Sequence, residues 1–222
     1  MARIRLLDAV ELRVLGSLLE KELTTPEQYP LTLNSLVAAC NQKNNREPVT
    51  ELGEAEVTAA LRRLKQDALV WRSEGARAER WEHLLDRRLG LEPAKKALIT
   101  LLFLRGAQTP GELRTRSERL HTFATVAEVE AALAALATGE EPLVAELGRQ
   151  PGQRESRWMH CLGTSLPEPG RRASRVAAEG TEELEAGSEA PSLEARVERL
   201  EAELAELKAE LARLRSDFVP EA

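Results

Sequence analysis

Arg80-Trp81-Glu82-His83-Leu84-Leu85 returns further along the chain as Arg157-Trp158-Met159-His160-Cys161-Leu162, with Arg, Trp, His and Leu in the same places. Upstream of each copy lies a second matched pair, Glu56-Val57-x-Ala59-Ala60-Leu61-x-x-Leu64 and Glu128-Val129-x-Ala131-Ala132-Leu133-x-x-Leu136. Further upstream, an offset of 84 positions sets Leu7-Asp8 on Leu91-Glu92 and Thr25-Pro26 on Thr109-Pro110. The same offset places Leu15, Leu18 and Leu19 on Ile99, Leu102 and Phe103. Matches in one consistent order specify an internal duplication of a unit of about 80 residues.

Each unit carries its own start signals. Asp8 followed by Glu11, and Glu92 followed by Pro93, open a first helix, whose apolar face in the first unit is Leu12, Leu15 and Leu19. A Thr-Pro turn leads into a second helix, and Thr109-Pro-Gly-Glu112 has the form of a capping box. A third helix starts at Gly53 or Thr125 and buries Val57, Leu61 and Leu64, or Val129, Leu133 and Leu136. Two short strands close each unit, at Ala68 to Arg72 with Glu79 to Leu84 and at Leu143 to Glu146 with Ser156 to Leu162. Three helices and a hairpin are the order of a winged helix-turn-helix. The expected fold is therefore mainly α with small β-hairpins, as tandem winged helix-turn-helix domains over residues 1–86 and 87–164.

Four stretches resemble signature segments of the bacterial YceH family: Leu18-Leu-Glu-Lys-Glu-Leu-Thr-Thr-Pro-Glu-Gln-Tyr-Pro-Leu31, Ala39-Cys-Asn-Gln-Lys-Asn-Asn-Arg-Glu-Pro-Val49, Leu104-Arg-Gly-Ala-Gln-Thr-Pro-Gly-Glu-Leu-Arg114 and Arg154-Glu-Ser-Arg-Trp-Met-His160. The resemblance covers roughly residues 7 to 164. It implies a tandem winged helix and carries no assigned biochemical role.

Beyond residue 164 the composition changes. Residues 165–192 are rich in Pro, Gly, Ser and Glu and poor in large apolar groups, as in a flexible linker. Then Leu193, Val197, Leu200, Leu204, Leu207, Leu211, Leu214 and Phe218 alternate spacings of four and three, the a/d seam of a coiled-coil helix over residues 193–218. In a parallel homodimer Arg196 meets Glu201, Glu203 meets Lys208 and Glu210 meets Arg215, all attractive, whereas an antiparallel pairing sets Glu203 against Glu210. The alternative is one amphipathic helix folding back on the preceding residues. The narrow seam favours self-association through a parallel coiled coil.

The chain of 222 residues has a net charge of −6, and its distribution limits function. Residues 1–164 hold 23 basic and 23 acidic side chains, so the whole excess lies in the tail. A neutral head is no broad nucleic-acid footprint, and any binding of double-stranded DNA must use local clusters. With aromatics at 3%, there is little material for stacking single-stranded bases. Two separated cysteines, Cys40 and Cys161, argue against a disulfide framework, and no apolar run is long enough for a membrane span. These features fit a cytoplasmic protein with no membrane association.

Candidate DNA contacts follow from the expected fold. On the third helix of the first unit Arg62, Arg63, Lys65 and Gln66 are donors suited to phosphates and guanine edges. A solvated basic face explains them equally. Their counterparts in the second unit, Ala131, Ala134, Ala135, Ala137 and Thr138, offer almost no hydrogen bonds and suit a protein surface instead. Arg77 and Arg80, with Arg149 and Arg154, flank the hairpin tips and suit phosphate contact, though acidic neighbours dilute their charge. The polar stretch Asn41, Gln42, Lys43, Asn44, Asn45 and Arg46 occurs in the first unit only. It fits DNA or a partner's backbone, and also a turn capped by its own amides.

Catalytic chemistry is not indicated. His83 and His160 hold equivalent places in the repeat, which points to packing, and His121 stands alone. No His/Cys/Asp grouping has metal spacing, and no phosphate loop or nucleophile elbow occurs, so neither metal nor cofactor is expected. Two readings follow: a homodimeric DNA-binding, regulator-like protein, and a protein-interaction scaffold.

Overall fold

The computed structural model describes residues 4–73, 79–148 and 155–164. The element order is α1 (Ala9–Thr24), β1 (Leu31–Thr32), α2 (Leu33–Cys40), α3 (Glu54–Gln66), β2 (Val70–Ser73), β3 (Arg80–His83), α4 (Leu85–Leu89), α5 (Pro93–Arg105), α6 (Pro110–Ser117), α7 (Val126–Leu136), β4 (Val144–Leu147) and β5 (Arg157–His160). The chain is thus mainly helical with small antiparallel sheets. No helix among the described residues is long and apolar enough to cross a membrane. The linker and the heptad residues Leu193 to Phe218 lie outside the described residues.

The helix starts follow local chemistry. Asp8 caps α1 by accepting from Glu11 N at 2.8 Å while Glu11 Oε2 accepts from Asp8 N at 2.9 Å, so two orphan amides at the helix end are satisfied reciprocally. Thr109 and Glu112 repeat that box on α6, Pro93 occupies the first turn of α5, and Gly53 and Thr125 cap α3 and α7.

The sheets preserve the duplication. β3 lies between β1 and β2, pairing Leu31 with Trp81 and Val70 with His83. In the second half β4 pairs with β5, Val144 opposite His160, and a single antiparallel bridge joins Gln108 to Trp158. That bridge is the reduced counterpart of β1. The two arginines that begin the inner strands also correspond: Arg80 donates to Pro30 O at 2.8 Å and Arg157 to Ala107 O at 2.6 Å, each the carbonyl just before the bridging residue.

The core runs through both halves. α1 packs on α5, and the two are buried over Glu11–Glu20 and Lys96–Leu104. This departs from the single apolar face Leu12, Leu15 and Leu19 expected of α1. With α2 and α3 on one side and α5 on another, α1 has no free face, so Glu11, Arg13, Ser17 and Glu20 are buried as well. Close approach is possible because Gly16 faces Leu104 and Phe103.

Candidate functional site: a basic helix face and a polar loop

α3 presents Val57, Ala60, Leu61 and Leu64 to the core, which turns Arg62, Lys65 and Gln66 outward. None of the three has a partner among the described residues. Arg63 is different. Its Nε reaches Glu11 Oε1 at 2.7 Å and its Nη2 reaches Asp8 Oδ2 at 2.6 Å, while Arg5 binds Glu11 at 2.6 Å and Asp67 at 2.8 Å. Burial pushes the Glu11 carboxyl up, but hydrogen bonds from Arg5, the Asp8 amide and Arg63 outweigh it and hold the group at about 2. Arg63 is therefore committed to the α1 start, and the cations left on this face are Arg62 and Lys65. The first turn of α3 is acidic, with exposed Glu54 and Glu56.

The corresponding face of α7 is apolar and uncharged where α3 is basic: Ala131, Ala134 and Ala135 are exposed, with Thr138 beside them. Of the hairpin arginines, Arg80 is tied to Pro30 O, so it holds β3 against the turn before β1 rather than standing free. Arg77, Arg149 and Arg154 lie outside the described residues.

The polar stretch divides into anchors and a free rim. Arg46 is buried; its Nη2 meets Glu20 Oε2 at 2.5 Å and donates to Ala39 O at 2.8 Å, and Gln42 Oε1 accepts from it at 3.2 Å. Asn41 closes the following turn, donating to Leu52 O at 2.8 Å and accepting from Leu52 N at 2.8 Å. From below, buried Arg13 donates to Cys40 O at 3.0 Å, Thr50 Oγ1 at 3.0 Å and Pro48 O at 2.6 Å. Asn41 and Arg46 are thus bonded within the loop itself. Lys43 and Asn44 have no side-chain partner among the described residues, and with Gln42 and Asn45, whose oxygens accept from Arg46 and Arg105, they edge a groove shared with the end of α1, α5 and α6.

A further cluster went unseen in the sequence. His83 Nε2 lies 2.9 Å from Glu22 Oε2, and the Lys96 ammonium binds both Glu22 and Asp86, the latter at 2.5 Å. Tyr29 Oη accepts from His83 N at 2.7 Å. The hydrogen bonds from His83 and Lys96, with the charge of each, outweigh the burial that would raise Glu22, and its carboxyl sits at about 2. Glu22, His83 and Asp86 place ligand atoms within 4.8 Å of one another, but Lys96 already supplies a cation to both carboxylates. His160, by contrast, packs edge-on to Phe103 at 5.1 Å, and burial lowers its imidazole to about 4. Repeat position alone hides this difference, because Lys96 occupies the place that Leu12 holds in the other unit.

A family profile described as "Protein of unknown function, DUF480" matches residues 7–153. Among curated relatives, a "UPF0502 protein" of Dechloromonas aromatica is 49% identical over 194 residues, 86% of this chain and 91% of the relative. One from Geobacter sulfurreducens is 54% identical over 158 residues, 71% and 72% of the two chains. One from Shewanella amazonensis is 46% identical over 209 residues, 85% and 99%. These matches agree with the family resemblance drawn from the sequence.

Proposed function

Since the chain belongs to the DUF480 family of proteins of unknown function, its role has to be argued from its own surfaces, and we propose that it is a non-enzymatic, cytoplasmic, homodimeric protein that binds double-stranded DNA through tandem winged-helix units. Three helices followed by an antiparallel pair in each half support the winged-helix reading, and the heptad stripe at residues 193–218 supports a parallel coiled-coil dimer. The observation that carries DNA binding is the exposed, unpaired set Arg62, Lys65 and Gln66 on α3. Because Glu54 and Glu56 occupy the first turn, which in helix-turn-helix readers approaches the bases, the contact is to phosphates rather than base edges. Binding is then weakly dependent on sequence.

Fluorescence anisotropy with a random-sequence duplex tests this. Replacing Arg62 and Lys65 with alanine should weaken binding by about tenfold or more, each lost phosphate contact contributing on the order of 1 kcal/mol. Unchanged affinity refutes the assignment. The exposed alanines of α7 favour a second reading, a scaffold that binds another protein there. In that case Ala131→Glu with Ala134→Glu abolishes partner capture and the α3 variant has no effect.

A further inference from the structure

The groove edged by the polar loop has a volume of about 660 Å³, within the range of small-molecule sites. Its apolar part is formed by Leu101, Leu104 and Leu120, of which the first two are almost fully buried. Around this floor stand Lys21 and Lys43 from the first half and Arg116 and Arg119 from the second. Of the two carboxylates in the lining, Glu20 is held by buried Arg46 with Lys21 at 3.9 Å, while Arg116 pairs with Glu112 at 3.5 Å and donates to Gln108 Oε1 at 2.9 Å, which leaves Lys43 and Arg119 against Glu118. Lys43 and Arg119 are exposed and have no partner among the described residues. Behind the rim Arg105 donates to Asn45 Oδ1 at 3.2 Å, and its buried Nε has no hydrogen-bond partner. Burial first, and then the nearby Arg116, depress the Arg105 guanidinium below its ordinary value, so cations are crowded at this edge.

Excess positive charge fits an anion, while a leucine floor is no use to a bare phosphate. Asn44 offers a donor and an acceptor side by side, the pattern that pairs with the edge of a nucleobase, and Gln42 and Asn45, whose oxygens accept from Arg46 and Arg105, keep their NH2 groups as donors. Leucines stack under a planar ring, and the lysines and arginines take charge-assisted bonds from phosphate oxygens. We propose that this groove is a binding site for a nucleoside phosphate, with the phosphates on Lys43 and Arg119 and the base over half-buried Leu120, at the edge of Leu101 and Leu104, beside the loop amides. The site is formed jointly by both repeats and excludes the α3 cations, so it goes beyond the DNA reading and its test needs no DNA.

Isothermal titration of the full chain with ADP, GDP and UDP should give saturable binding for at least one. With that nucleotide as reference, the matching nucleoside and inorganic pyrophosphate should each bind at least about tenfold more weakly, since each lacks one half of the contacts. Lys43→Glu with Arg119→Glu, both exposed and unpaired, should weaken the nucleotide by about a hundredfold and leave the melting temperature unchanged. No saturable binding of any of the three overturns the proposal. A nucleoside that binds as well as its diphosphate, pyrophosphate that binds as well as the nucleotide, or a folded double variant of undiminished affinity does so too.

Discussion

Gly16 on α1 stands so close to Leu104 on α5 that a Cβ placed on it would meet Leu104 Cδ2 at 2.8 Å and Phe103 Cβ at 3.0 Å. A glycine is needed here for proximity and not for backbone freedom, since the two helices that begin the repeats cross at this point. Gly16→Val should destabilise the fold by about 1–3 kcal/mol through overpacking, with Gly16→Ala milder, read from urea unfolding. A neutral Gly16→Val would mean that α1 and α5 separate freely.

Arg46 and Glu20 make the polar loop a rigid structure. Because the guanidinium is fully buried against a nearly buried carboxylate, Arg46→Ala strands a charge and should cost about 3–5 kcal/mol. Arg46→Met with Glu20→Gln should recover much of that loss, since no charge is then left unpaired. Thermal unfolding of the single and double variants gives the comparison.

Acid stability should show two windows. His160 titrates near 6.5 unfolded and at about 4 folded, so its neutral form is favoured by the fold. That contribution, about 3 kcal/mol, is complete above pH 6.5 and is lost as the pH falls towards 4. Glu11 and Glu22 move from 4.5 unfolded to about 2 folded, and their contribution, present above pH 4.5, is lost between 4.5 and 2. His160→Leu should abolish the upper window and leave the lower; Glu22→Gln should shrink only the lower. Unfolding free energies measured from pH 7 to pH 2 separate them.

Much of the fold was readable because its signals are local. Asp8 with Glu11, Thr109 with Glu112, and Gly53 and Thr125 mark helix starts that the structure reproduces, and the strands fall within a residue or two of expectation. The short α4 after Leu84 and the pairing of Leu31 with Trp81 were not read, because the first is little more than one turn with no side-chain cap at its start and the second joins residues 50 apart. The candidate site was read less well for the same reason. Arg63 and Arg46 look free in sequence, and their carboxylate partners lie 52 to 55 and 26 residues away. His83 looked like His160, but Glu22 and Lys96, which fall on Gly106 and Leu12 at the repeat offset, make its surroundings ionic.

Assembly follows from the heptads. Deleting residues 193–222 should halve the mass measured by light scattering. An unchanged mass would move the dimer contact to the head and dismiss the coiled coil.

The central claim is that a nearly neutral head binds duplex DNA through a few phosphate contacts. Its most direct test is the affinity of the full chain for a random-sequence duplex measured across a salt series. The expected plot of log affinity against log salt is linear, with a slope of roughly −3 to −6 for about four to six phosphate contacts per dimer. No detectable binding at about 50 mM salt, or an affinity that does not change with salt, contradicts it.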